Sequence, residues 1–409
     1  MSERSVPRQD WRALLAAYFV VSVIESAGVA QIFALLPARL SELGVTGDAR
    51  LTFIGVFTSL IFVVGAPLVP LWGVWADKVS RTAVIARSAA VEAVVFALVA
   101  LSGEPWQLAL ALLLTGFQLG NTGVMLAAIR DVAPAQRIGL AVAIFGAAGS
   151  IGFAVGPALA GALIDGLGTS LTDVFWISAG LSLGSILLIW FGTREVRPEV
   201  IPQGPTLALA YGAVRAVLAD PVVRGIFAIY TLAFLAAQMS RPYLPVLVEG
   251  LVGTGPGLAS AVALVVGTAA LAGAVVSPLG GAIGDRVGFR PVLIAALLLS
   301  AAALVAMPLA PVLGLLAAAS FVFAAFIAVA TAMVFGLLAT ETPPERRSTT
   351  LNLVYLPLYA AGIIGPSFAA GAAAVGGVSA PFFAGAAAVL VGTAAVAARR
   401  RADRMRANG

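Results

Sequence analysis

The chain has 409 residues, of which 61% are apolar and only 11% are charged, and its mean hydropathy is +1.04. A soluble domain is typically about a quarter charged and less than half apolar, so this composition excludes a water-soluble globule. The sequence contains no Cys and no His, which excludes disulfides, metal sites built on thiolate or imidazole ligands, and catalytic triads that need His.

Apolar stretches long enough to cross a bilayer follow one another along the whole chain. A transmembrane helix needs about 20 mostly apolar residues, and short polar breaks separate twelve such stretches. The sequence therefore predicts an all-α membrane protein. The predicted transmembrane helices are residues 12–39, 52–75, 82–101, 106–129, 137–164, 171–192, 223–249, 257–283, 290–308, 310–338, 348–373 and 378–398.

Basic residues are concentrated in every second polar break. The breaks around Lys78, Arg130 and Arg346 and both chain termini are basic, whereas Arg39 and Arg50 are among the few basic residues of the other breaks. The positive-inside rule therefore predicts a multi-pass protein of the cytoplasmic (inner) membrane with both termini in the cytoplasm. The first apolar stretch is too long for a cleavable signal peptide. The excess of 24 basic over 19 acidic residues indicates this topology rather than nucleic-acid binding.

The longest polar break, residues 193–222, is predicted to be a cytoplasmic linker between an N-terminal bundle, residues 1–192, and a C-terminal bundle, residues 223–409. Helical spacing of apolar side chains predicts an amphipathic helix at the membrane surface within it. The side chains that recur at this spacing are Leu207, Tyr211, Val214 and Leu218.

The two halves repeat each other. The segment from Pro70 to Lys78 corresponds to that from Pro278 to Arg286 with an offset of 208 residues, and Gly156-Pro157 corresponds to Gly365-Pro366 with an offset of 209. Several landmarks at nearly one spacing indicate two six-helix repeats in parallel orientation. Such an arrangement places a substrate site near the middle of the bilayer, between halves that rock against each other.

These motifs resemble the major facilitator superfamily over nearly the whole chain. The segment Gly73–Arg81 resembles the family's loop motif between helices 2 and 3, and Gly281–Arg290 is its second copy. The segment Gly152–Gly161 resembles the helix-5 motif of drug/proton antiporters, and Glu25 followed by Leu36-Pro37 is similar to helix 1 of the twelve-helix drug exporters. The resemblance implies two pseudo-symmetric six-helix bundles and export of drugs.

Glu25 and Glu92 are the candidates for proton coupling. Each falls near the middle of a predicted helix, where an ionisable side chain is costly and indicates function. The resemblance places helix 1 at the central cavity, so Glu25 is expected to alternate there between a proton and a cationic substrate. The alternative is a protonated Glu25 that only bonds to a neighbouring helix. Glu92 either shares protons with Glu25 or pairs with Arg87, which itself is expected near the cytoplasmic interface.

The predicted cavity wall is apolar and aromatic with scattered polar groups, which suits lipophilic molecules better than sugars. Arg241 either offsets Glu25, repels protons or binds an anionic group, and the alternative is a residue near the outer interface paired with Glu249. The full set of predicted substrate-binding residues is Tyr18, Ser22, Glu25, Gln31, Gln118, Asn121, Tyr230, Gln238, Arg241, Asn352, Tyr355 and Tyr359.

The repeated motifs are predicted to control conformation. Asp77 is expected to contact Arg81, the Asp131 region and the start of helix 11 near residues 348–350, which would hold the cytoplasmic ends of the halves together. The Gly-Pro pairs and the other glycines of helices 5 and 11 are expected to form a hinge and sealing surface between the halves. These glycines are Gly149, Gly152, Gly156, Gly161, Gly362 and Gly365. The predicted gating residues are Gly73, Asp77, Arg81, Asp131, Gly281, Asp285 and Arg290, with Gly152, Gly156, Pro157, Gly365 and Pro366 in helices 5 and 11.

The sequence predicts a secondary transporter rather than an enzyme. The only Lys is not preceded by Gly, so no phosphate-binding G-x-x-x-x-G-K-[ST] loop is present and no cofactor other than the proton gradient is expected. The expected function is proton-coupled efflux of lipophilic, cationic drugs by a monomer with no metal and no nucleic-acid partner. The alternatives are a dedicated exporter of one metabolite, sugar or lipid-like molecule, and a membrane receptor or sensor without transport.

Overall fold

The computed structural model of the protein describes residues 10–342, 353 and 356–408, except for the side chains of residues 274, 278 and 399–408. These residues form twelve helices long and apolar enough to span a membrane, and within these ranges no strand occurs. The prediction of an all-α protein with twelve spans is confirmed. We label the spans α1 Trp11–Glu42, α2 Gly47–Lys78, α3 Arg81–Leu101, α4 Pro105–Val132, α5 Ala135–Gly166, α6 Leu171–Gly192, α7 Pro221–Val252, α8 Leu258–Val287, α9 Phe289–Leu309, α10 Leu313–Glu341, α11 Leu356–Gly376 and α12 Ala380–Asn408.

Several helices extend beyond the predicted apolar stretches because polar residues cap their ends. The Asp10 side chain accepts a hydrogen bond from the backbone N–H of Arg12 at the start of α1, and Asp220 accepts one from Val222 at the start of α7. Ser80 caps α3 in the same way. The predicted residues Asn352 and Tyr355 and the predicted helix start at 348 lie outside the described residues.

Because the number of spans is even, the start of α1 and the end of α12 lie at the same end of the bundle. We call the end where α1 begins and α12 ends the terminal end, and the opposite end the distal end. The helix predicted in the linker covers Thr206–Ala219 and packs on α2 at the terminal end, where the Tyr211 hydroxyl donates to the Pro67 carbonyl at 2.8 Å. Lys78 also donates to the Gly204 carbonyl of the linker. The domain limits themselves stay a prediction.

The spans α2, α4 and α7 are interrupted within the bundle, and the break in α2 is a turn at Val64. In α4 the residues Thr115–Phe117 form a 3-10 turn and Gly120 has φ +99°, a conformation that favours glycine. In α7 a 3-10 turn at Arg241–Tyr243 precedes Pro245. Breaks of this kind free backbone groups, and in a membrane they persist only where protein or a water-filled cavity satisfies those groups.

Small residues set the distance between packed helices. A Cβ at Gly156 would overlap the backbone of Ala27 in α1, and one at Gly152 would lie 2.5 Å from Ser26 Cβ. These glycines therefore pack α5 on α1 within the N-terminal half, and Gly365 packs on Gln238 within the C-terminal half. The expectation that they seal the interface between the halves is wrong for these three positions.

The interface between the halves uses two other glycines of the predicted set, Gly161 and Gly362, and also Gly55. Gly55 of α2 lies against Pro366 of α11, and Gly362 lies against the Phe62 ring. Gly161 at the end of α5 lies against Ser260 at the start of α8. The second Gly-Pro motif therefore contributes to the interface through Gly362 and Pro366, whereas Pro157 is buried within α5.

We predict that Gly156→Ala destabilises the protein, because the added methyl group must displace the α1 backbone. Overpacking of this kind costs about 1–3 kcal/mol. Gly180→Ala in α6 is the matched control, since a Cβ there meets nothing within 4 Å. Thermal unfolding followed by size-exclusion chromatography should show a lower melting temperature for Gly156→Ala only. Equal melting temperatures would contradict the proposed close contact.

Candidate functional site

A cavity of about 690 Å³ lies between the two halves. Its wall comes mainly from α1, α5, α7, α8 and α10, and most of the residues are Ala, Gly and Phe. The aromatic members are Phe33, Phe153, Phe234, Phe323 and Phe382. The polar members are few: Ser150, Ser240, Ser277, Ser320, Thr331 and Arg241.

Arg241 is the charged residue of this wall. It lies at the 3-10 turn of α7, where its Nη1 donates to Gln238 Oε1 at 3.3 Å. Its guanidinium carbon lies 5.7 Å from the Phe33 ring centre and 5.3 Å from that of Phe153. Arg241 does not pair with Glu249, which binds Arg50 instead. The alternative that Arg241 forms an ion pair with Glu249 near the outer interface is therefore wrong.

The other predicted substrate-binding residues that the structure describes do not line the cavity. The helix α1 presents Ala30, Phe33 and Ala34 to it, while Glu25 is 7% exposed and turns towards α3 and α4. The expectation that Glu25 faces the cavity is therefore wrong. The residues that lie elsewhere in the bundles are Tyr18, Ser22, Glu25, Gln31, Gln118, Asn121, Tyr230, Gln238 and Tyr359.

Glu25 belongs to a polar cluster inside the N-terminal half. Asn121, the first residue after the break in α4, donates its side-chain N–H to Glu25 Oε2. Ser88 and Arg87 of α3 also lie near this carboxylate. The second oxygen, Oε1, is buried and has no hydrogen-bond partner in the described part of the chain. The carboxylate is therefore only half satisfied by protein donors.

Glu92 lies in the same interior and interacts electrostatically with Glu25. Its Oε2 accepts a hydrogen bond from the Ser182 hydroxyl at 3.0 Å, and its Oε1 lies against Gly28 of α1 without a partner among the described residues. Of the two alternatives for Glu92, the structure supports the contact with helix 1. It does not show an ion pair with Arg87.

The break in α4 holds Arg87. The Arg87 guanidinium stacks on the Trp72 ring at 3.7 Å and donates to the carbonyls of Gln118 and Leu119 at 3.4 and 3.2 Å. The Ser88 hydroxyl donates to the same Gln118 carbonyl at 2.7 Å. Arg87 thus lies inside the helix bundle rather than at the membrane interface, and Gln118 accepts these bonds through its backbone carbonyl.

Gln31 connects three helices of the N-terminal half. It donates to the Gly156 carbonyl of α5 at 3.2 Å and accepts a hydrogen bond from the Ser178 hydroxyl of α6 at 2.5 Å. Both polar ends of the side chain are satisfied by these helices. The geometry gives Gln31 a structural contact rather than a place in the cavity wall.

The first loop motif forms an ion-pair cluster at the terminal end. Arg81 pairs with Asp77 at 2.9 Å and with Asp131 at 2.6 Å. Glu195 accepts hydrogen bonds from the Ser80 hydroxyl at 2.5 Å and from the Arg81 backbone N–H at 2.8 Å. The structure thus brings together Asp77, Arg81 and Asp131 as predicted. The predicted contact with residues 348–350 lies outside the described residues.

Among the described residues, the second loop motif forms fewer ion pairs than the first. Arg290 pairs with Glu341 at 3.0 Å, and Asp285 is exposed. A Cβ at Gly73 or at Gly281 would meet nothing within 4 Å. Among the described residues no helix approaches that face of either glycine, so the gating role of Gly73 and Gly281 stays a prediction.

Hydrogen bonds join the two halves at the distal end. Arg50 of α2 forms a bidentate ion pair with Glu249 of α7, with distances of 2.5 and 3.1 Å. The Tyr243 hydroxyl donates to the Leu51 carbonyl at 2.9 Å. Asp165 at the end of α5 accepts hydrogen bonds from the backbone N–H groups of Gly257 and Ser260, at the start of α8, at 2.9 and 2.7 Å.

Because these contacts hold the two halves together at the distal end, we expect them to close the cavity there. The sequence reasoning missed Arg50, Glu249 and Asp165 as gating residues. Their charge could have indicated a role, since few charged residues occur in the polar breaks at the distal end. It also missed the Phe side chains of the wall, which resemble any other apolar residues of a membrane helix.

A profile of the Major Facilitator Superfamily matches residues 14–262 and 226–408. The multidrug resistance protein MdtG of Salmonella paratyphi A is 29% identical over 309 residues, which cover 75% of each chain. The structure is similar to a bacterial homologue of the human lysosomal transporter Spinster in an inward-facing, occupied conformation, with TM-score 0.77, 16% identity and 96% of each chain covered. The nucleoside transporter NupG gives TM-score 0.75 at 15% identity over 94% of this chain and 98% of its own.

We predict that Arg50→Gln opens the distal end. Loss of one partner of a charge-assisted pair should increase the rate at which a solute reaches the cavity from the distal side, by on the order of tenfold. The chain contains no Cys, so Ser240→Cys in the cavity wall gives a single labelling site for a membrane-impermeant maleimide added from the distal side. Labelling should be faster in the Arg50→Gln background and slow again in the charge-reversed pair Arg50→Glu with Glu249→Arg. Unchanged labelling would show that this ion pair does not close the cavity.

Proposed function

Because the chain belongs to the Major Facilitator Superfamily, we propose that this transporter exports lipophilic compounds in exchange for protons by alternating access. Family membership identifies a multi-pass membrane transporter rather than an enzyme. The similarity to MdtG, named for multidrug resistance, supports drug efflux. In this proposal the protein works as a monomer in the cytoplasmic membrane with its termini in the cytoplasm, and the proton gradient is its energy source.

The observation that carries the proposal is an apolar cavity between the halves with one end closed by polar contacts. The arginines in the last turns of α12 belong to the terminal end, and positive residues favour the cytoplasm. The distal end then faces outward, and the conformation corresponds to a cavity that takes up its substrate from the cytoplasmic side. Separation of the Arg50–Glu249 pair would accompany release outside.

Glu25 and Glu92 are the proposed proton-binding pair. Each has one buried oxygen without a hydrogen-bond partner in the described part of the chain. Two interacting carboxylates in a medium of low polarity do not both ionise at low cost, so the pair is suited to hold a proton. Asn121 stabilises Glu25 from the second segment of α4. A change in protonation would therefore alter how α1 packs against α3 and α4.

Coupling in this arrangement passes through α1. Glu25 belongs to α1, and Glu92 lies against Gly28 of the same helix, on the side that faces α3 and α4. Another side of α1 lines the cavity with Ala30, Phe33 and Ala34. Proton and substrate would thus act on one rigid helix from different sides. Protonation from outside would favour the return of the cavity to the cytoplasmic side, and proton release there would accompany the next uptake of substrate.

The lining of the cavity changes which charge we expect on the substrate. The sequence favoured cationic drugs because Glu25 was expected in the cavity wall, and the described wall contains no carboxylate. The dedicated exporter differs from the proposed function only in the breadth of its substrates, and the receptor differs in the lack of flux. A panel of dyes and antibiotics, tested for gradient-dependent efflux in cells that lack their own pumps, distinguishes the three.

We predict that Glu25→Gln abolishes coupling while it preserves substrate binding. Glutamine keeps the size of the side chain but cannot bind and release a proton, and position 25 does not touch the cavity. The measurement is proton release from proteoliposomes when the best-exported dye of the panel is added. It should fall to the level of empty liposomes for Glu25→Gln, while direct binding of the dye persists.

The matched control is Glu199→Gln, since Glu199 is exposed in the linker. It should release protons like the unmodified protein. Full proton release by Glu25→Gln and by Glu92→Gln would overturn the assignment of this pair. Binding without gradient-dependent flux in the unmodified protein would overturn export itself.

A further inference from the structure

Among the described residues, the charge of Arg241 has no counter-ion. No carboxylate belongs to the described cavity wall, and across the described ranges no acidic oxygen lies within 4 Å of the Arg241 guanidinium. Of its nitrogens, Nη1 donates to Gln238, and the others have no acceptor in that part of the chain. A guanidinium inside a membrane protein normally pairs with an acid or with backbone carbonyls, and it marks a substrate path.

The surroundings of Arg241 compensate its charge only weakly. The Phe33 and Phe153 rings approach at 5.7 and 5.3 Å, which gives modest cation–π attraction. The nearby Ser240 hydroxyl donates to the Ala236 carbonyl of its own helix at 2.9 Å. The unused N–H groups form a planar fork, the geometry that binds a carboxylate, sulfonate or phosphate with two parallel hydrogen bonds.

The rest of the cavity suits the apolar part of a molecule. Five Phe side chains and many Ala and Gly residues form the wall, and the Thr331 hydroxyl donates to the Ile327 carbonyl at 2.8 Å. Such a wall offers few hydrogen bonds to a polar body. A cavity of about 690 Å³ is large enough for a drug-sized ligand.

We propose that the cavity binds amphipathic organic anions, with a single acidic head group on Arg241 and an aromatic or aliphatic body against the Phe side chains. This assignment rests on the proposed export function and specifies its substrate class. A cation of the same shape would instead bring a second positive charge beside Arg241, and it would find no carboxylate in the described wall.

Three probes with the same hydrophobic body test the charge preference: pyrenebutyrate, the neutral pyrenebutanol, and pyrenebutyl trimethylammonium. Binding to the full chain in lipid nanodiscs is measured by titration calorimetry, with empty nanodiscs as the blank. The anion should bind at least about tenfold more tightly than the alcohol, since a buried charge-assisted hydrogen bond contributes that much. The ammonium compound should bind most weakly.

Variants of Arg241 separate recognition from folding. Arg241→Gln should lose the preference for the anion but bind pyrenebutanol as before, which also shows that the variant is folded. Arg241→Lys keeps the charge without the planar fork and should retain part of the preference. Arg137→Gln, which removes an exposed arginine, is the matched control and should bind all three probes like the unmodified protein.

Three results would overturn the anion site: tighter binding of the ammonium compound, equal binding of all three probes, or an unchanged anion preference in Arg241→Gln. Transport in proteoliposomes with a pH gradient separates this proposal from the proposed export. Anion binding without gradient-dependent flux would contradict export and leave the anion site supported. Export of the ammonium compound in preference to the anion would contradict the anion site and leave export supported.

Discussion

The organisation of the protein depends on the cost of an ionisable group within the hydrocarbon layer, where no water can solvate it. Most such groups obtain donors or acceptors from the bundle itself. The break in α4 is central to this, because its freed carbonyls accept from Arg87 and Ser88, and the segment that follows provides Asn121 to Glu25. Among the groups whose compensation is incomplete in the described part of the chain, Glu25, Glu92 and Arg241 are the candidates for proton and substrate binding.

Separation of the carboxylate pair from the cavity changes the kind of coupling to be expected. When two ligands share one site, they compete and each excludes the other. Here Glu92 lies against Gly28 on one side of α1, while Phe33 lines the cavity on another. In the proposed exchange both ligands could be bound together, and the coupling would be a free energy carried by the position of α1 in the two conformations.

The sequence predicted the number of spans well, because hydropathy is summed over about 20 residues and single errors cancel. It also identified Glu25, Glu92 and Arg241, since a charge in an apolar stretch is conspicuous. It failed on the direction of side chains: α1 is apolar on nearly every face, so periodicity could not show that Ala30 and Phe33, and not Glu25, meet the cavity. The Arg50–Glu249 pair was missed because its partners are 199 residues apart and only the fold joins them.

The solitary charge of Arg241 has an electrical consequence. A monovalent anion in the proposed site would neutralise Arg241, whereas the described wall of the empty cavity carries one positive charge. Membrane voltage exerts force only on a net charge that moves. The cavity itself would therefore contribute a moving charge when the protein reorients empty, and none when it carries the anion.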